Sequence, residues 1–373
     1  MADLSVEVCG LRFRTPILPA AGPPVRDGAA ILACAEGGAG GLVAKTISTR
    51  AAEPPLPNMA EIPHGMLNTE LWSELPPVQW LEREYAIARS AGLPLIVSLG
   101  YTADEIASLA PKVRPFADAV ELSTHYIGED PAPMVGAIRA AKAALDVPVF
   151  VKLSPHGQDM GHAARLAAEA GADGIAAINS FGPVLALDLE TAMPLLGGPS
   201  GHGWLSGPAL KPLAVRCVRE IARAVDLPVI GVGGVTRGTD AVEHLMAGAV
   251  AVQVCTAAII RGPTVFGKIA TELDAWLDAH GHAAARDISG LALARGWPPA
   301  GPEAPFIDPD ACNDCGICIT SCVYGAIHVV DGRVALEGET CARCGLCVTR
   351  CRRGAIRWPT VPDALRAPAG EAG

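Results

Sequence analysis

Short, unbroken apolar runs return at close intervals along most of the chain: Ile17–Ala21, Gly41–Lys45, Leu95–Leu99, Ala119–Ser123, Val149–Leu153, Gly174–Asn179, Val229–Val232 and Ala251–Val254. Between most of them lie alanine-rich stretches of helical character, such as Gly161–Ala170 and Leu210–Val225. Three runs open alike, with Leu93-Pro94-Leu95, Val147-Pro148-Val149 and Leu227-Pro228-Val229. Runs that are apolar throughout belong to strands covered on both faces, and their alternation with helices predicts a parallel sheet. A doubly wound open sheet shows the same alternation. Eight units between Ile17 and Val254 predict instead an α/β fold of the (β/α)8 barrel type. Ahead of them, the alternation of Val6, Val8, Leu11 and Phe13 about Gly10 predicts a short hairpin.

A barrel carries its chemistry where strands end and loops begin. Here those ends read Lys45-Thr46, Glu121-Leu122-Ser123, Lys152-Leu153-Ser154, Asn179-Ser180, Gly233-Gly234 and Thr256. A buried strand gains nothing by ending in lysine unless an anion or an electron-rich ring waits there. One such residue alone reads as a solvated strand end, and their convergence predicts a site. Gly231-Val232-Gly233-Gly234-Val235 follows a strand and precedes a helical stretch, so its backbone N–H groups can hold a phosphate. It lacks the G-x-G-x-x-G spacing of a dinucleotide fold. With Cys255 and Thr256 it falls in the loops after strands seven and eight, the usual phosphate cradle of a barrel. The proline-rich loops Pro54–Trp80 and Pro183–Gly207 are expected above that site as lids. His64, His156 and His202, also on rim loops, read as incidental.

The C-terminal part holds a stronger signal. Cys312, Cys315, Cys318 and Cys322 follow C-x2-C-x2-C-x3-C, and Cys341, Cys344, Cys347 and Cys351 repeat it. Three thiolates at this spacing wrap one iron–sulfur cube, and the fourth reaches across to the other. One [4Fe–4S] cluster is therefore assigned to Cys312, Cys315, Cys318 and Cys351, and the other to Cys322, Cys341, Cys344 and Cys347. Structural zinc usually takes two C-x2-C pairs separated by a longer loop, which suits this pattern poorly. Val323 and Arg352 stand where the bacterial ferredoxin pattern has proline. Arg343, Arg350, Arg352, Arg353 and Arg357 crowd the second run. They form either a basic dock for an acidic electron carrier or local compensation for anionic clusters.

Composition changes the picture in four ways. The 373 residues leave room for one large and one small domain: a barrel over 1–280, a linker over 281–305, a ferredoxin-like module over 306–358 and a loose tail over 359–373. A net charge of −10 argues against nucleic acid as a partner. No apolar run reaches the roughly 18 residues of a membrane span and no leader is visible, so a cytoplasmic protein without membrane contact is expected. Cys9, Cys34, Cys217 and Cys255, scattered through apolar segments, read as reduced core residues.

Taken together, these residues resemble the dihydroorotate dehydrogenase family over nearly the full length, most closely the flavin barrel and ferredoxin-like module of dihydropyrimidine dehydrogenase. The likeness lies in Thr15–Gly22, Ala44–Ser48, Met66–Leu71, Val151–Pro155 and Ile178–Ser180, with Ser206-Gly207, Gly233-Gly234 and Cys255-Thr256. It implies FMN as cofactor, with Ala21, Gly22, Lys45, Thr46 and Lys152 beside the flavin. Ser206, Gly207, Gly233, Gly234, Cys255 and Thr256 would hold its ribityl phosphate, and Asn68, Asn179 and Ser180 the substrate. The family's fourth strand ends in Asn-Leu-Ser-Cys-Pro. Here it ends Glu121-Leu122-Ser123-Thr124-His125-Tyr126, with Ser123 at the asparagine position and Tyr126 at that of the proton-moving cysteine. Tyr126, or else His125, is thus implied as the catalytic proton donor, on a substrate other than the family's usual one.

The resemblance implies hydride transfer between FMN and a C–C or C=C bond next to a carbonyl or amide of a small pyrimidine-like or otherwise conjugated molecule. Electrons would pass through the two clusters to or from ferredoxin or another carrier, in a homodimer. In the alternative, the barrel flavin only relays electrons, as a subunit of a larger redox complex.

Overall fold

The computed structural model describes residues 1–123, 130–155, 159–296 and 303–359. They fall into two units, Met1–Ala294 and the remainder from Arg295 on.

In the first unit eight parallel strands follow the apolar runs: β1 (Ile17–Pro19), β2 (Leu42–Val43), β3 (Leu95–Leu99), β4 (Ala119–Leu122), β5 (Val149–Leu153), β6 (Gly174–Ala177), β7 (Val229–Val232) and β8 (Ala249–Val254). Their hydrogen-bonded order is β1-β8-β7-β6-β5-β4-β3-β2. From β2 to β8 each strand pairs with its neighbour in sequence and β8 pairs with β1, while β1 and β2, the two ends of that order, lie near each other, the arrangement of a (β/α)8 barrel. After the strands come α1 (Gly28–Glu36), α2 (77–89, with a π turn at Trp80–Glu84), α3 (Ala103–Val113), α4 (Ala132–Ala144), α5 (Met160–Glu169), α6 (Lys211–Ala224), α7 (Gly238–Met246) and α8 (Val265–Ala279). Several of these helices start on side-chain caps. Asp27 and Asp159 accept from Ala30 and His162 N–H, and Thr102 with Glu105 closes a capping box on α3.

The repeated X-Pro-X openings now have a reason. The carbonyls of Pro94, Pro148 and Pro228 accept from Leu42, Val120 and Ile175, at the entries of β3, β5 and β7. Proline at a strand's first position loses no ladder donor that its neighbour needs. In the predicted hairpin, Val6–Val8 pairs with Leu11–Phe13. Its turn residues Cys9 and Gly10 both have positive φ, as a two-residue hairpin loop prefers.

Two expectations change. The proline-rich loops are not merely lids. Together they form a four-stranded antiparallel sheet in the order Phe181–Val184, Gly203–Ser206, Gly65–Asn68 and Met59–Ile62. Glycines and Pro183 inside these short strands hid the period-two pattern. The linker expected over 281–305 is also shorter. Ala285–Ile288 makes a 3-10 turn, and Ala285 and Ile288 are fully buried in the barrel's apolar core.

The second unit is small. Phe306–Ile307 pairs antiparallel with Ile356–Arg357, and Ile327–Val330 with Arg333–Leu336. Short helices Ile317–Ser321 and Leu346–Arg350 complete it, around a core of Cys318, Ile327, Val334, Cys347 and Ile356. No helix among the described residues is long and apolar enough to cross a membrane.

Candidate functional site

A cavity of about 960 Å³, open mouth included, lies where the barrel strands end, and residues from all eight of those ends line it. From the expected set it collects Ala21 and Gly22 after β1, Thr46 after β2, Ser123 after β4, and Lys152 on β5. Asn179 and Ser180 after β6, Gly233 and Gly234 after β7, and Cys255 and Thr256 after β8 join them. Asn68, Ser206 and Gly207 come from the antiparallel sheet. Tyr126 and His125, the expected proton donors, and His156 lie outside the described residues.

The floor is a buried polar group spanning three strands. Lys152 Nζ donates to Gln253 Oε1 at 3.1 Å and stands 3.5 Å from Glu121 Oε1, while Gln253 Nε2 donates to Glu121 Oε2 at 2.5 Å. Glu121 is fully buried and Lys152 only 5% exposed. A buried charge persists when it is paired and hydrogen-bonded, and here each partner supplies the other.

Lys45 departs from the expectation. It is not on the cavity wall; its ammonium is taken by Glu70 at 2.7 Å and Glu74 at 2.9 Å. Those partners lie in the loop after β2, and nothing local in the sequence pairs them with Lys45. Glu70 itself is on the wall, as are Gln253 and Tyr101, none of which the sequence reading singled out. Burial, reinforced by the Glu105 carboxylate, pushes the Tyr101 hydroxyl up to about 12. The signal that could have found Gln253 is a lone amide inside the otherwise apolar run Ala249–Val254.

The glycine loop after β7 is held from below. His244 is fully buried on α7, and its Nε2 lies 3.0 Å from the Gly233 carbonyl. A carbonyl only accepts, so Nε2 carries the proton. Burial holds the imidazole pKa below its usual value, so the ring stays neutral. Asp240 accepts from the N–H groups of Thr236 and Arg237 and from Lys211 Nζ, fixing the far side of the loop. Burial would raise its pKa, but the Lys211 and Thr236 hydrogen bonds hold it below the usual carboxylate range.

Gly233 and Gly234 have φ of 126° and 74°, and Gly207 has 86°. Backbone turned this way presents consecutive N–H groups, which is what a phosphate needs. Thr256 Oγ1 donates to Ser206 Oγ at 2.9 Å beside them. Gly22 is needed for room, since a Cβ there would stand 2.8 Å from Cys255 Sγ. Burial pushes that thiol up to about 11, so it stays protonated and serves as wall rather than nucleophile. The donor loops at one end and the fixed ammonium on the floor fit a phosphate-bearing flavin. Gly234→Ala is a direct check. Its Cβ would lie 2.5 Å from Lys211 Cβ at a left-handed φ. The expected cost is about 2 kcal/mol of stability, with FMN affinity down at least about tenfold, read by thermal unfolding and flavin fluorescence titration.

In the second unit the two cysteine runs are built alike. Left-handed backbone recurs at Asp314 and Gly316 and again at Arg343 and Gly345. In each run the N–H two residues on donates to the first thiol, Asp314 to Cys312 and Arg343 to Cys341, both at 3.4 Å. Ala355 N–H donates to Cys351 at 3.3 Å. A cavity of about 340 Å³ is lined by Cys341, Cys344 and Cys347 together with Cys322 from the other run. This is the crossed set expected from the spacing, and backbone N–H donors to sulfur are what a cluster site supplies.

Residues 3–277 match the family model described as dihydroorotate dehydrogenase, and residues 304–352 match the 4Fe-4S dicluster domain. The chain is similar to the catalytic subunit of dihydroorotate dehydrogenase B (NAD(+)) from several organisms. It is 38% identical to that of Methanothermobacter thermautotrophicus over 302 residues, which cover 78% of this chain and 98% of the relative. For Pyrococcus horikoshii the identity is 37% over 303 residues, 78% of this chain and 98% of the relative. For Geobacter sulfurreducens it is 35% over 301 residues, 77% of this chain and 97% of the relative. The aligned part thus spans nearly the whole of these relatives and about three quarters of this chain.

Proposed function

Because the chain belongs to the dihydroorotate dehydrogenase family, we propose that it moves a hydride between FMN and a carbon–carbon bond beside a carbonyl or amide, in a small pyrimidine-like or otherwise conjugated molecule. It is a flavin-dependent oxidoreductase of the class acting on CH–CH bonds, and its cofactors are FMN and two [4Fe–4S] clusters. When bound, the flavin supplies hydride chemistry and the clusters one-electron transfer.

The floor of the cavity carries the proposal. Glu121 and Gln253 hold the Lys152 ammonium in place before any ligand arrives. A charge fixed in a water-poor site stabilises negative charge developing on a ring above it, at no reorganisation cost. Asn68, Asn179, Ser180 and Ser123 line the same space and orient a carbonyl or amide of the substrate. Tyr126, or else His125, gives the proton; the support is its place just beyond Ser123 at the end of β4. A phenol with a pKa near 10 is a better acid than base at neutral pH, which favours reduction of a C=C bond.

Electrons are exchanged with ferredoxin or another carrier protein through the chain's own clusters. Arg343, Arg350, Arg352 and Arg353 are exposed and suit an acidic partner. Cys9, Cys34, Cys217 and Cys255, the cysteines outside the cluster runs, are thiols and suit a reducing compartment, so the working site is the cytoplasm, and the working form a homodimer.

The test is an anaerobic substrate screen on the purified chain, following flavin absorbance. Turnover by the chain alone supports an enzyme in its own right, and turnover only with added subunits favours an electron relay. In stopped flow, Tyr126→Phe is expected to slow hydride transfer by at least about 100-fold. A wild-type rate removes Tyr126 from the mechanism.

A further inference from the structure

We infer that the residue before the second cysteine of each run sets the two clusters apart in reduction potential: Asp314 lowers that of the Cys312 site and Arg343 raises that of the Cys341 site. This rests on the cofactor reading above and adds a direction to the electron path.

The two runs repeat one backbone. Asp314 and Arg343 have left-handed φ of 54° and 57°, and the glycines two residues on, Gly316 and Gly345, have 74° and 79°. In both runs the N–H of this residue donates to the first sulfur at 3.4 Å. Asp314 and Arg343 thus occupy the same slot beside a ligand sulfur and carry opposite charge.

Asp314 is held in its slot. Its Oδ1 accepts from Val334 N–H at 2.9 Å, and its Oδ2 lies 2.8 Å from Arg333 Nε, an ion pair that keeps the carboxylate ionised. Oδ1 also stands 3.7 Å from Cys312 Sγ. As a thiol this sulfur can donate to the oxygen. As an iron ligand it is a thiolate with no proton to give, and the two negative groups face each other. An electron added to the cluster meets that fixed charge and is disfavoured by Coulomb repulsion. Arg333 is exposed and takes the far oxygen, so it offsets only part of the effect. At the other site the Arg343 guanidinium attracts the added electron instead.

The remaining groups do not reverse this order. Arg357 is paired with Asp308 at 3.5 Å, and Arg350 Nε donates to Ser321 Oγ at 3.2 Å. Arg352 and Arg353 follow Cys351 but are exposed, where water and salt screen them, whereas the Asp314 oxygen touches a ligand sulfur. Ala355 N–H on Cys351 favours reduction of the Cys312 site, but as a dipole rather than a full charge. An electron shared by the pair therefore moves from the Cys312 site to the Cys341 site. One cluster is oxidised by one electron, the other is reduced by one, and no bond or proton is exchanged.

The test is an anaerobic dithionite titration of the full holoprotein with redox mediators, the reduced clusters being followed by electron paramagnetic resonance. The wild type is expected to fill in two steps. At one solution potential the reduced-to-oxidised ratio of the upper cluster should exceed that of the lower by at least about tenfold, or about 59 mV for one electron. Cys347→Ser, which takes a ligand from the Cys341 site, is expected to remove the upper step. Asp314→Asn keeps an oxygen for Val334 N–H and tolerates the left-handed backbone, and is expected to raise the lower step alone. Arg343→Gln keeps the backbone donor to Cys341 and is expected to lower the upper step alone.

Two clusters that fill together in the wild type overturn the inference, as does loss of the lower step in Cys347→Ser. So does either charge variant that leaves its step in place or shifts the other one. Should Asp314→Asn fail to retain its cluster, an upper step unmoved by Arg343→Gln overturns it alone. Iron and acid-labile sulfide, measured before the titration, report separately on the cofactor reading, which stands if both are present whatever the potentials are.

Discussion

Lys152→Met is expected to cost the barrel about 3–5 kcal/mol and to slow flavin reduction by at least about 100-fold. The stability loss follows from what the substitution leaves behind. Glu121 is fully buried, and without the ammonium its carboxylate keeps, among the described residues, only the Gln253 amide as a side-chain partner. Breaking a buried pair from one side is far more damaging than replacing both members. The two effects can be separated. Adding Glu121→Gln to Lys152→Met removes the orphan charge while keeping a hydrogen-bonding partner for Gln253. That double variant is expected to regain most of the stability in thermal unfolding and none of the reactivity in stopped flow. Wild-type reduction rates in either variant would show that the lysine has no electrostatic part in the reaction.

Cys347→Ser is expected to remove one cluster and leave the flavin chemistry intact. Cys347 is buried on the first turn of its helix and lines the same small cavity as Cys322, Cys341 and Cys344. Serine is a poor ligand for an iron–sulfur cube, so iron should fall from about eight to about four atoms per chain. Reduction of the flavin by substrate should continue, while electron delivery to an external carrier drops to the background of the flavin alone. Undiminished iron with undiminished carrier reduction would place Cys347 outside any cluster.

The parts of this molecule that sequence revealed are those whose causes are local. Each strand–helix unit announces itself within about thirty residues, and the cysteine runs are legible because ligation imposes spacing. The polar strand ends were legible for the same reason, and the cavity does gather Thr46, Ser123, Lys152, Asn179 and Gly233 from five different strands. What stayed hidden depends on contacts between distant segments. The partners of Lys45, at the end of β2, are not legible until Glu70 and Glu74 fold back onto it. His244 looks like any helix residue until Gly233 rests on it, 11 positions away in sequence. The antiparallel sheet pairs Leu67 with Leu205, two loops whose glycines and prolines mask any alternation.

The most direct measurement is the cofactor content of the full chain purified without oxygen. The account predicts a yellow-brown protein that releases about one FMN per polypeptide, with about eight iron and eight acid-labile sulfide. A protein that retains neither flavin nor labile sulfide, or that carries zinc on its C-terminal thiolates, would contradict it.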